Sequence, residues 1–201
     1  MAVLESDRLA WLARQLMKDS DNSYANMFGK TMARHLAGKA DFQTFDALAR
    51  DYLDAICKDG ASGFSLADGA GMSVRNYLKP RQLVEMLYHG ITQPWAAEWL
   101  ETFPIMGVDG SLKRWQMEDG NIKGRVWAKT GYINRVRNLS GYLKTESGEP
   151  IIFSIMVNNY DARTSEIDRA IMRICNQIIK LKFADDARDV EILSDLFQAG
   201  Q

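Results

Sequence analysis

Arg125-Val-Trp-Ala-Lys-Thr-Gly131, followed by Asn138-Leu-Ser-Gly-Tyr-Leu-Lys-Thr145 and Ile151-Ile-Phe-Ser-Ile-Met-Val-Asn-Asn159, decides the fold. The first stretch reads as a strand, Arg125–Ala128, entering Lys129-Thr130-Gly131. The other two form a hairpin around Glu146-Ser-Gly-Glu149, because β-branched and aromatic residues there are bounded by turn formers. Ile151–Val157 is almost continuously apolar, which suits a strand covered on both faces. One cover is a helix from Ser165 to Lys182, with Ile167, Ala170, Ile171, Ile174, Ile178 and Leu181 in one stripe and Ser165-x-x-Asp168 as a capping box.

Upstream of Pro104 the apolar period changes to that of helices. Leu9, Leu12, Ala13, Leu16 and Met17 share a face between Asp7 and Lys18, with Asp7 in the first turn. Asp19-Ser-Asp-Asn22 then interrupts, since short polar side chains compete with the helical backbone. Ala25, Phe28, Met32 and Leu36 mark a second helix from Ser23, stopped by Gly38. Thr44–Cys57 is a third, Pro80 opens a fourth through Tyr88, and Trp95–Leu100 is a short fifth. The Gly-, Ser- and Asp-rich stretch before Lys79 has no GxxxxGK[ST] and no preceding strand, so it reads as a structural loop. The tail, 184–201, is acidic and contains a weakly amphipathic segment, Val190–Phe197.

Composition excludes several classes. With 46% hydrophobic residues in 201, the chain can bury one sizeable core. Twenty-five basic against 26 acidic residues leave no charge excess for nucleic acid or an anionic membrane. Cys57 and Cys175 are too few for a disulfide framework, no Cys/His cluster suggests a metal, and no cofactor is expected. Cys175 falls on the apolar face of its helix and reads as a buried thiol. His35 and His89 lie inside helical patterns without a partner at ligand spacing, so a hydrolase built on either lacks its acid–base constellation. No apolar run reaches the roughly 20 residues that span a bilayer. The residues after Met1 lack the basic start and apolar centre of a secretory signal, so the chain as written is expected in the cytoplasm.

Two tripeptides carry chemistry: Ser20-Asp21-Asn22 between helices, and Lys129-Thr130-Gly131 on a strand. They look like two of the three active-site motifs of penicillin-recognising serine acyl-transferases, whose third is Ser-x-x-Lys. None of the twelve serines has lysine three residues on. Met17–Ala25, Ala67–Ser73, Gly107–Leu112, Ala128–Gly131, Leu139–Tyr142 and Phe153–Asn158 resemble, in order, the later blocks of D-alanyl-D-alanine carboxypeptidases of the peptidase S13 type, low-molecular-mass penicillin-binding proteins. The resemblance runs from about Glu5 to about Leu181 and covers only the family's second half.

The resemblance implies an α+β, partial β-lactamase/transpeptidase-like fold. A helical lobe (1–104) would carry Ser-Asp-Asn; an antiparallel sheet of about three strands with its C-terminal helix (105–183) would carry Lys-Thr-Gly, the two forming one domain that lacks its N-terminal part. Ser20 would relay a proton, Asn22 would hold the substrate's peptide carbonyl, and Lys129 would place a cation beside Ser20. Thr130 would bond the terminal carboxylate, Gly131 would let substrate lie on the strand edge, and the N–H of Tyr132 would be one arm of an oxyanion hole. The usual residue at 132 is a small hydroxyl one, and the ring here could crowd the groove. Taken without the flanking blocks, Lys129 reads better as an exposed strand-end lysine and Ser20 as a helix cap.

By the same resemblance the partners are a peptidoglycan peptide ending in D-Ala-D-Ala, or a β-lactam, met in the periplasm or outside the cell by the family's full-length proteins. Without Ser-x-x-Lys, the chain is expected to be inactive alone. The second arm of the hairpin would present an unpaired edge, inviting self-association or a complementary N-terminal fragment. The alternative is a non-catalytic muropeptide- or β-lactam-binding module.

Overall fold

The computed structural model describes residues 5–117 and 121–182. The sheet has three antiparallel strands in the order β1 (Val126–Ile133), β2 (Val136–Lys144), β3 (Pro150–Asn158). Lys-Thr-Gly lies within β1, not beyond its end: Lys129 pairs with Ser140, Thr130 with Leu139 and Gly131 with Asn138. β1 and β2 are joined by Asn134-Arg135 alone, with Arg135 left-handed at φ 60°. Gly141, opposite Ala128, is demanded by close approach, since a Cβ there would stand 2.1 Å from the carbonyl oxygen of Trp127.

Strand alternation sends successive side chains to opposite faces, and each face has its own core. Val126, Ala128, Leu139, Leu143 and Phe153 pack against Ile171, Met172, Cys175 and Ile179 of helix α6 (Thr164–Ile179). On the other face Tyr142 meets Leu87, Ile91, Leu100 and Phe103, with Met17, Trp127 and Ile152 at the margin. The helical members come from α1 (Leu9–Asp19), α4 (Pro80–Ile91) and α5 (Ala96–Thr102), with Phe103 immediately after α5. Tyr142 is fully buried, and its hydroxyl donates to Leu87 C=O (2.8 Å) while accepting from Trp99 Nε1 (2.8 Å). β3 is therefore covered on both faces, as its apolar run predicts, and pairs along one edge only among the described residues.

The helices that carry the polar junction are set by their caps. Asp21, not Ser20, is the N-cap of α2 (Asn22–Ala37), its carboxylate accepting from Ser23 N–H (2.7 Å) and Tyr24 N–H (2.9 Å). Asp41 caps α3 (Phe42–Ile56) in the same way through Thr44 N–H (2.7 Å), starting it two residues before the periodicity does. α1 starts at Leu9, so Asp7 lies outside its first turn. At α6 the predicted box is displaced. Glu166 accepts from Arg163 N–H (3.2 Å), and Asp168 is used instead to pair with β2. In the loop before α4, Asp68 accepts from the N–H groups of Gly71, Met72 and Ser73, which makes it a self-bonded structural loop. Both thiols are buried, Cys57 raised to about 11 and Cys175 to about 12 by desolvation. The tail with Val190–Phe197 lies outside the described residues.

Candidate active site

α1 ends where Asp19-Ser-Asp-Asn22 cannot continue it, and the chain turns through Ser20 in the left-handed conformation (φ 57°, ψ 49°). The N–H groups of Ser20 and Asp21 both bond Leu16 C=O, and Asp21 caps α2, so the serine is held from both sides. A non-glycine residue there costs of order 1 kcal/mol and persists only where its surroundings fix it.

Lys129 projects from β1 on the face shared with Trp127 and reaches this turn. Its Nζ donates to Ser20 Oγ at 2.6 Å and to Thr130 C=O at 3.0 Å. Burial, and secondarily the positive charge of Arg137, lower its pKa from 10.5 to about 8. Ser20 itself is exposed, so the hydroxyl faces solvent with a shielded amine behind it.

The rim of β1 follows from its hydrogen bonds. Ala128 N–H bonds Pro104 C=O (3.0 Å) and Val126 C=O accepts from Met106 N–H (2.9 Å), so these residues face away from β2. Alternation then directs the N–H groups of Thr130 and Tyr132 outward along the free end of the same edge. Thr130 Oγ1 is 3.5 Å from Ser111 Oγ. The Tyr132 ring is 55% exposed and rests 5.6 Å over the Arg137 guanidinium, on the α6 side of the sheet and the opposite face from Lys129. Asn22, the first residue of α2, is exposed beside Ser20. A Cβ on Gly131 would meet Asn138 at an ordinary 3.5 Å.

Two ion pairs that the sequence reading missed hold these parts in place. Lys18 Nζ donates to Asp109 Oδ2 (2.6 Å) and Phe103 C=O (2.6 Å), while Asp109 Oδ1 accepts from Ile105 N–H (2.7 Å). Ile105 bridges Trp127, so the end of α1 is tied to the flank of β1. Gly110 makes this possible: its φ is +54°, and a Cβ would stand 2.9 Å from Lys18 C=O. Arg137 binds Asp168 through Nε–Oδ1 (2.6 Å) and Nη2–Oδ2 (3.2 Å) and lies 4.9 Å over the Trp115 ring. Lys18, Asp109 and Ser111 fall in the blocks Met17–Ala25 and Gly107–Leu112, but nothing in those residues says that they meet. His89 packs edge-on against Tyr52 at 5.6 Å, and His35 is exposed near the end of α2.

Residues 1–178 match the D-Ala-D-Ala carboxypeptidase 3 (S13) family. The chain belongs to that family. This S13 chain is 31% identical over 153 residues to D-alanyl-D-alanine carboxypeptidase DacB of Haemophilus influenzae, covering 74% of itself and 31% of that protein. It is likewise 31% identical over 160 residues to the D-alanyl-D-alanine carboxypeptidase of Actinomadura sp. strain R39, covering 77% of itself and 29% of the relative. It therefore spans about a third of the length of these relatives. Penicillin binding protein 4 of H. influenzae, solved in complex with a β-lactam, superposes with a TM-score of 0.74 at 26% identity, over 85% of the S13 chain and 41% of that structure. A penicillin G-acylated endopeptidase of Bdellovibrio bacteriovorus shares the fold at TM-score 0.62 and 19% identity. The mixed helix and three-strand sheet architecture is thus that of penicillin-binding proteins and β-lactamases. No described helix is long and apolar enough to cross a membrane.

Proposed function

We propose that Ser20, Asn22, Lys129, Thr130 and Gly131, with the N–H of Tyr132, form one wall of a groove for a peptide ending in D-Ala-D-Ala or for a β-lactam. The observation that carries this is the 2.6 Å bond joining the two motif segments, Lys129 Nζ to Ser20 Oγ. A terminal carboxylate would meet the Thr130 hydroxyl with Lys129 nearby, and a peptide carbonyl would accept from Asn22 and from the Tyr132 N–H. Gly131 supports the same reading. A side chain would fit the fold there, so the reason for glycine lies with whatever approaches from outside.

The 201 residues contain no Ser-x-x-Lys, and acyl transfer of the family's kind needs that activated nucleophile. The groove therefore binds without hydrolysing D-Ala-D-Ala, and serves peptidoglycan carboxypeptidase or endopeptidase chemistry only where a complementary segment supplies the missing motif. The free edge of β3 is the surface for that segment, or for a second copy. A monomer in light scattering at micromolar concentration would count against this edge.

The binding reading is tested by titrating the isotopically labelled chain with acetyl-D-Ala-D-Ala. The amides of Thr130, Gly131 and Tyr132 are expected to shift, and the carboxamide-terminated peptide is expected to leave them unmoved. Equal shifts with both peptides would sink the carboxylate site. Release of D-alanine would sink the claim of binding without turnover.

A further inference from the structure

We propose that Ser20 is itself an acylatable nucleophile in this chain, with Lys129 as its base, and that it takes acyl groups from activated esters. The hydroxyl is exposed while the amine behind it is shielded, which is the order that an incoming acyl donor requires. The left-handed turn and the two bonds to Leu16 C=O hold the hydroxyl in place before any donor arrives. Lys129 has the hydrogen-bonding capacity for both protonation states. As an ammonium it donates to Ser20 Oγ and Thr130 C=O. As a neutral amine it keeps an N–H for Thr130 C=O, and its lone pair accepts from the Ser20 O–H. Its lowered pKa makes that neutral form accessible near pH 8.

In the step, Ser20 Oγ attacks the ester carbonyl and its proton passes to Lys129 Nζ. The tetrahedral adduct collapses with loss of the phenolate, giving acyl-Ser20 and a lysine ammonium that then releases its proton to solvent. Hydrolysis follows when water attacks that ester. Lys129 takes the water's proton and returns one to Ser20 Oγ as the C–Oγ bond breaks and the carboxylic acid leaves.

The restriction to activated esters has a chemical reason. A phenolate departs unprotonated, whereas the amine of a peptide or β-lactam needs a proton delivered to it, and its adduct needs a fuller oxyanion hole. The activity is therefore independent of the D-Ala-D-Ala reading, and the probe carries no terminal carboxylate.

The test is p-nitrophenyl acetate added to the full chain, with the acetylated residue mapped by mass spectrometry. Acetyl is expected on Ser20, at a rate that rises with pH and levels above about 8. In urea this selectivity should vanish. Lys129→Met and Lys129→Arg should each cut Ser20 acetylation by about a hundredfold or more, the arginine because it cannot act as a base, while exposed lysines label as before. Acetyl on Lys129 Nζ in place of Ser20, equal Ser20 labelling in urea or in Lys129→Met, or a flat pH profile would each overturn the proposal. The mapping, urea and pH arms use the unmutated chain, so they decide even if a variant fails to fold. Loss of acetylation with the acetyl-D-Ala-D-Ala shifts intact would remove this activity and leave the groove.

Discussion

Lys129 Nζ lies 2.6 Å from Ser20 Oγ across 109 residues of chain, and each group is placed by a different part of the fold. The serine depends on a left-handed turn between α1 and α2, and the lysine on the register of β1 against β2. Lys18–Asp109 and the Ile105–Trp127 bridge connect the two. The chemistry of the pair thus rests on contacts that neither side chain makes itself.

The turn at Ser20 carries measurable strain. Ser20→Gly and Ser20→Ala both remove the hydroxyl, but only glycine adopts φ 57° without penalty. Chemical unfolding should find the glycine variant more stable than the alanine variant by about 1 kcal/mol. Equal stabilities would mean that the turn relaxes.

Lys129 makes stability depend on pH in a defined direction. Its folded pKa, about 8, lies below the usual 10.5, so between these values the unfolded chain holds a proton that the folded chain has lost. Stability then rises with pH through that window, and below it the desolvation cost stays in full. Relative to Lys129→Met, the unmutated chain should gain about 3 kcal/mol between about pH 7 and about pH 11. Tyr142 and Cys175, raised by burial, act oppositely but equally in both chains. A difference that stays constant with pH would contradict the assignment.

Arg137 and Asp168 bear on the same lysine. Arg137 pushes Lys129 down, and Asp168 is the counter-ion that holds Arg137 through a two-pronged bond. Arg137→Met should therefore raise the Lys129 pKa and Asp168→Asn should lower it further, as read by NMR titration of the lysine side chain. Asp168→Asn should also destabilise by about 2 kcal/mol, since the guanidinium is 12% exposed and would be left without its counter-ion. Shifts of the same sign in both variants would refute the coupling.

Two glycines ten positions apart should behave oppositely. Gly141→Ala drives a Cβ to 2.1 Å from Trp127 C=O and 2.6 Å from Ala128 Cα, and should lower stability by about 3 kcal/mol in thermal or urea unfolding. Gly131→Ala meets only Asn138 at 3.5 Å and should change stability by less than about 0.5 kcal/mol. It should nevertheless abolish the acetyl-D-Ala-D-Ala shifts at Thr130 and Tyr132. Retained shifts would remove Gly131 from the groove.

Much of the fold was legible because periodicity reports one element at a time. The period-2 pattern placed β2 and β3 within two residues at each end, and the 3.6 period located every long helix. Where boundaries moved, a polar side chain had a use that pattern cannot express. The pattern offers Asp168 as a cap, whereas from α6 it pairs with Arg137 on β2; Asp41 and Asp21 are the caps. Lys-Thr-Gly was read at a strand's end because glycine and threonine look like punctuation, whereas pairing with Leu139 and Asn138 carries the strand through them.

By itself the sequence determined the order of helices and strands, the buried thiol of Cys175, the family's Ser-Asp-Asn and Lys-Thr-Gly motifs, and the lack of Ser-x-x-Lys in these residues. Only the tertiary structure decided that Ser20 meets Lys129, that Lys18 meets Asp109 and Arg137 meets Asp168, and that Tyr132 turns its ring away from the lysine. The physical reason is that spacing fixes which face of an element is apolar. Which two faces then meet is settled by packing among residues far apart in the chain, and that packing is also what shields the lysine amine.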